Sequence, residues 1–135
     1  MERTLVILKP SIPDTEFWEN IVISRDYFKK IFERVIRMKW FKIDLRKQET
    51  LDLETAKNHY YEKREHPLFN SVIEYITWDV CEILSISWEN SISEIRKISL
   101  KMRDKYIWNK SKLYNMIHAS DSLHESEREH KIHFS

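Results

Sequence analysis

The stretch "NMIHASDS", residues 115–122, gathers an amide, an imidazole, two hydroxyls and a carboxylate, and Glu129 follows eleven residues after His118. An imidazole attacks through one ring nitrogen only when the other carries a proton and is held in place. A carboxylate bonded to that second N–H supplies both conditions. If His118 ends a strand and Glu129 lies on the helix that follows, the turn between them folds the carboxylate back beneath the ring. Ser120 is near enough to bond a transferring group or a neighbouring carboxylate. The same residues also read as polar surface around a satisfied core histidine, and the rest of the chain has to decide.

The elements that must position these groups follow from the hydrophobic pattern. "RTLVILK" is a buried strand stopped by Pro10. "SIPDTEFWENIVISRD" has no clear period and reads as a loop with a short helix. From Tyr27, Phe28, Ile31, Phe32 and Val35 form one helical stripe. "WFKIDLRK" alternates Phe41, Ile43 and Leu45 against Lys42, Asp44 and Arg46, a half-buried strand. Asp52 suits the N-cap of a polar-faced helix through "DLETAKNHYYEKRE", and Pro67 opens a second helix. "DVCEILSISW" is apolar on both faces, as a central strand is. Ser91 with Glu94, and Ser122 with Glu125, have capping-box spacing at the heads of two later helices, with Ile92, Ile95 and Ile98 inward in the first. "LYNMIH" is a short last strand. The order β, α, β, α, α, β, α, β, α over residues 1–135 predicts one domain, a four-stranded sheet with helices packed against it.

Composition narrows the chemistry. There are 23 basic and 22 acidic residues, a net charge of +1, which argues against a nucleic-acid or membrane-surface binder but not against a binder of small anions. Cys81 is the one cysteine, read as a buried, inert thiol, so no disulfide or cysteine zinc motif is expected. No apolar run approaches the ~20 residues of a membrane span, and the chain reads as cytoplasmic. Glycine is absent, which excludes a glycine-rich phosphate loop. Any phosphate must be held largely by side chains.

"NMIHASDSLHESEREHKIHF" closely resembles the active-site signature of nucleoside diphosphate kinases. "ERTLVILKP" is similar to that family's opening strand, "AKNHYYEKREHPLFNSVIEYIT" to its nucleotide-clamping helices, and "SWENSISEIRKI" to the segment carrying a phosphate-binding arginine. The resemblance implies an α+β fold, a ferredoxin-like α/β sandwich with a four-stranded antiparallel sheet. It implies ping-pong transfer of a γ-phosphate between nucleoside di- and triphosphates through a phosphohistidine on His118. Glu129 would orient the ring, Ser120 would bond nearby, and Lys9 and Tyr60 would face the transferring phosphate. Arg96 and Arg103 would grip the outer phosphates, and Asn115 the ribose. Mg²⁺ would bridge two phosphates, with no protein residue assigned as a metal ligand. Such chemistry needs mainly positioning and positive charge, and an arginine fork suits phosphate oxygens. Subunits would pair through "WFKIDLRK", giving at least a dimer, with hexamers left open.

The chain departs from the family pattern in places. Leu68 stands where an aromatic ring usually stacks on the base, with Val72 one turn later, so base contact is apolar without a π-face. The segment between Arg96 and Asn115 is short, and Lys105 rivals Arg103 for the second phosphate position. The segment after Pro10 is longer than the family's. These departures motivate a second reading, a catalytically weak nucleotide-binding or interaction module on the same fold. A third is a metal site from His124, His130 and His133, against which stands a solvated C-terminal tail. His59 and His66 read as surface or capping residues.

Overall fold

The computed structural model describes residues 2–10, 25–106 and 115–135. Along them run β1 (Glu2–Leu8), α1 (Arg25–Met38), β2 (Lys42–Glu49), α2 (Leu53–His59), α3 (Phe69–Thr77), β3 (Cys81–Trp88), α4 (Ser91–Tyr106), β4 (Ile117–Ala119) and α5 (Leu123–His133), with a 3-10 turn at Tyr61–Lys63. This is the order read from the pattern. The strands form one antiparallel sheet in the order β2-β3-β1-β4, the ferredoxin-like arrangement. Among the described residues no helix is long and apolar enough to cross a membrane. Most of the long segment after Pro10, and Leu113 and Tyr114 of the expected last strand, lie outside the described residues.

Strand alternation divides the core in two, which is why β1 and β3 are apolar throughout. Val6, Leu8, Leu84 and Ile86 pack against Phe28, Phe32 and Ile36 of α1 and Ile95, Ile98 and Met102 of α4. Leu5, Ile7, Cys81 and Ile83 pack on the other face against Ala56 of α2 and Ile73 and Ile76 of α3. Burying residues of this size contributes roughly 1.5–3 kcal/mol each. Cys81 is fully buried, its thiol aimed at the Ile76 carbonyl.

Several local expectations are corrected. Leu45 is 43% exposed rather than inward, because the β2–β3 register slips between Ile43 and Leu45. Asp44 is the extra residue of a bulge, and one inserted residue turns every later side chain to the opposite face. Helix α1 starts at Arg25, inside the expected loop. The helix from Asp52 ends at His59, short of Glu65, although Asp52 does cap it, accepting from the Thr55 amide at 2.7 Å. Pro67 lies outside α3, whose cap is Leu68. Ser91 is a helical residue, not a cap, and its hydroxyl donates to the Glu2 carbonyl at 2.9 Å. Ser122 caps α5 as expected, but the Glu125 carboxylate turns to Arg128 instead of closing the box.

Candidate active site

The site begins with alternation on β4. Ile117 and Ala119 enter the α1/α4 core, so His118, paired with Ile7, is sent to the other face. There it meets the C-terminal end of α2 and the buried side of α5. Its Nε2 lies 3.0 Å from Oε2 of Glu129, whose Oε1 accepts the Ser120 hydroxyl at 2.6 Å. Ser120 in turn accepts the Leu5 amide at 3.1 Å. Burial first, and then the charges of Lys9 and Arg103, hold His118 well below its ordinary value, so the ring is neutral. Burial raises the Glu129 carboxyl to about 7 against the pull of Ser120. A neutral imidazole donating from Nε2 to Glu129 keeps its Nδ1 lone pair bare.

A γ-turn precedes the strand. The Ile117 amide bonds the Asn115 carbonyl at 2.8 Å, with Met116 at φ 65° between them. A non-glycine residue held there stores strain of order 1–3 kcal/mol, and in this chain no glycine was available to relieve it. The turn brings Asn115 Oδ1 within 2.6 Å of the Lys9 ammonium. Burial, and then Arg103, pull Lys9 down to about 7. Its main chain is anchored on both sides, by its own amide on the Met116 carbonyl and by the Tyr75 hydroxyl on the Pro10 carbonyl, 2.8 Å away.

Helix α4 supplies two further cations. Arg96 donates to the Ala119 carbonyl at 3.2 Å, and Arg103 Nε to the Ile117 carbonyl at 3.1 Å. Burial and the neighbouring Arg96 lower Arg103, as expected where two guanidiniums stand close together. With Lys9, Tyr60, Asn115 and His118 these arginines line a cavity of about 400 Å³. The Tyr60 hydroxyl is buried with no partner among the described residues, and burial raises its pKa. Ser120 and Glu129 stand behind the His118 ring.

Leu68 and Val72 are half-buried on and beside α3 and do not line this cavity. Lys105 is exposed over the Tyr106 ring, so Arg103 alone of the two rivals reaches the cavity. His66 is exposed and caps the Leu68 amide, as expected. His59 is not on the surface: it is 3% exposed, stacks edge-on to His118 at 4.5 Å and bonds His133 at 2.9 Å. His130 and His133 are not a solvated tail either, since both are buried, His130 against the Ser85 hydroxyl at 2.7 Å. Residues 126, 129, 130 and 133 form the buried stripe of α5. The helical spacing was visible, but a polar stripe gives no hydrophobic signal.

The family model for nucleoside diphosphate kinase matches residues 2–135. The chain belongs to the nucleoside diphosphate kinase family. It is 31% identical to the nucleoside diphosphate kinase of Thermobifida fusca over 144 residues, spanning 99% of this chain and 97% of that protein. It is 33% identical to that of Pyrococcus abyssi, spanning 98% of this chain and 84% of that protein. The crystal structure of the Aquifex aeolicus nucleoside diphosphate kinase superposes with a TM-score of 0.78 at 28% identity, covering 99% of this chain and 95% of that one.

Proposed function

We propose that this protein is a nucleoside diphosphate kinase that passes a γ-phosphate from a nucleoside triphosphate to a diphosphate through His118. The observation that carries this reading is the 3.0 Å contact between Nε2 of a neutral His118 and Glu129, which leaves Nδ1 as the nucleophile. Nδ1 attacks the γ-phosphorus, the bond to the bridging oxygen breaks, and the diphosphate departs. The Glu129 carboxylate offsets the positive charge that the phosphorylated ring acquires. A second diphosphate then takes the phosphoryl group by the reverse path, so the kinetics are ping-pong.

Lys9 and Tyr60 face the transferring group, Arg96 and Arg103 the outer phosphates, and Asn115 the ribose. Ser120 fixes the carboxylate. Leu68 and Val72 give the base a shallow apolar contact outside the phosphate cavity, which favours broad base tolerance. The Asp121 carboxylate lines the same cavity and is the hard oxygen donor a hydrated Mg²⁺ accepts. A Mg²⁺ held there would supply charge neutralisation at the phosphate oxygens. The substrates suit a cytoplasmic setting, and β2, at the edge of the described sheet, suits at least a dimer.

Incubation with γ-labelled ATP should leave acid-labile label on the wild type and none on His118→Ala. A wild type that binds ADP yet never labels would instead indicate the binding-module reading.

A further inference from the structure

His59 is a buried group beside His118 that the phosphoryl-transfer reading leaves unused. It is 3% exposed, and its Nε2 has no hydrogen-bond partner among the described residues. That nitrogen points at Oε2 of Glu129 from 3.8 Å, the same oxygen that meets His118 Nε2 at 3.0 Å. One ligand atom from each of His59, His118 and Glu129 falls within 4.8 Å of the others. In a tetrahedral site with bonds near 2.0–2.1 Å, ligand atoms stand roughly 3.3 Å apart. The two contacts to Glu129 bracket that spacing.

The outer atoms of Glu129 and His59 are also held. Ser120 occupies Oε1 of Glu129 at 2.6 Å, which leaves Oε2 as the donor. His133 Nε2 lies 2.9 Å from His59 Nδ1. If His59 donates from Nδ1 to His133, its Nε2 is bare, the arrangement that orients an imidazole toward a metal. Two nitrogens and one carboxylate oxygen, with a fourth position open to the cavity, select zinc-class ions over Mg²⁺. Lys9 and Arg103 disfavour a loosely held cation here. An ion forming strong bonds to nitrogen remains, with its fourth, anionic ligand turned toward them.

We propose that His59, His118 and Glu129 form an inhibitory site for a zinc-class divalent cation. Its inhibitory consequence rests on the reading of His118 as phosphoryl acceptor, whereas the binding does not. Coordination through Nε2 moves the ring proton of His118 to Nδ1. The lone pair needed for attack is then gone, and the bound ion also withdraws Glu129 from the ring.

The test is calorimetric titration of ZnCl2 into the full, nucleotide-free protein, with Co²⁺ absorption as a spectroscopic check. One equivalent should bind, with the visible bands of a four-coordinate cobalt ion. His59→Gln should weaken binding at least tenfold, and His133→Phe roughly tenfold through loss of the orienting bond. One bound equivalent of Zn²⁺ should abolish labelling from ATP, and chelation should restore it. No binding to the wild type, or unchanged binding to both variants, overturns the site. Undiminished labelling of the zinc-loaded protein overturns the inhibition. A protein that binds zinc but never labels in its absence keeps the site and removes the kinase reading instead.

Discussion

The Ser120 hydroxyl donates to Oε1 of Glu129 at 2.6 Å, so the carboxylate meets the His118 ring through Oε2 alone. Two single-site substitutions separate the consequences. Glu129→Gln should slow phosphorylation of His118 roughly 10–100-fold, the usual effect of losing an orienting partner, with nucleotide binding largely retained. Ser120→Ala should also strand the buried Leu5 amide, at a cost of about 1–3 kcal/mol in denaturant unfolding. Rapid-quench labelling and urea titration read the two effects separately.

Lys9 should make nucleotide binding pH-dependent. With its ammonium at about 7, affinity should fall as pH rises from 7 to 9 and the charge is lost. Calorimetry at pH 8 in buffers of different ionisation enthalpy should show proton uptake on binding ADP. Lys9→Arg, which cannot deprotonate, should remove that uptake. Its effect on stability has the same sign as a carboxylate with a lowered pKa, stability rising with pH between 7 and 10.5. The buried charge costs most below 7 and nothing above 10.5, so Lys9→Met should raise the unfolding midpoint at pH 6 while abolishing labelling.

Trp40 occupies a glycine position. The Phe41 amide bonds the Ile36 carbonyl at 3.0 Å and the Trp40 amide that of Arg37 at 3.1 Å, a Schellman end to α1, with Trp40 at φ 67°. The ring is 79% exposed and contributes little packing to its own chain. Trp40→Gly should therefore stabilise the fold by about 1 kcal/mol in urea unfolding. A loss of stability would mean that the ring is buried by a partner.

Glu82 is fully buried between Lys29 of α1 and Arg46 of β2, with Arg46 at 2.9 Å. Lys29→Met should cost about 3 kcal/mol, because it leaves a buried carboxylate with one partner instead of two. The double variant with Glu82→Gln should recover part of that loss. Simple additivity of the two would contradict a direct pair.

Strand β2 is the edge strand of the described sheet on its β3 side, and it carries exposed Leu45. Light scattering should give at least twice the mass of one chain, and Leu45→Lys should halve it. A monomeric wild type would rule out pairing through this edge.

The sequence by itself determined the order of elements, the strand that presents His118 and the helix that carries Glu129. These follow from periodicity and from spacing along one strand-turn-helix, which are local properties. It also carried the family signature. It did not reveal the Asp44 bulge, because an inserted residue shows only against the register of its partner strand. The Met116 turn was hidden for a related reason, as a left-handed residue is announced by glycine and this chain has none.

Only the tertiary structure decided where the histidines go. His59 and His133 are 74 positions apart and bond each other inside the fold. Their burial depends on α5 packing over the end of α2, where Arg128 donates to the Asn58 and His59 carbonyls at 2.9 and 2.8 Å. Arg103 rather than Lys105 enters the cavity because helical rotation separates neighbours two apart by about half a turn. Desolvation by distant parts of the chain, not residue type, keeps the His59 and His133 rings below their ordinary pKa.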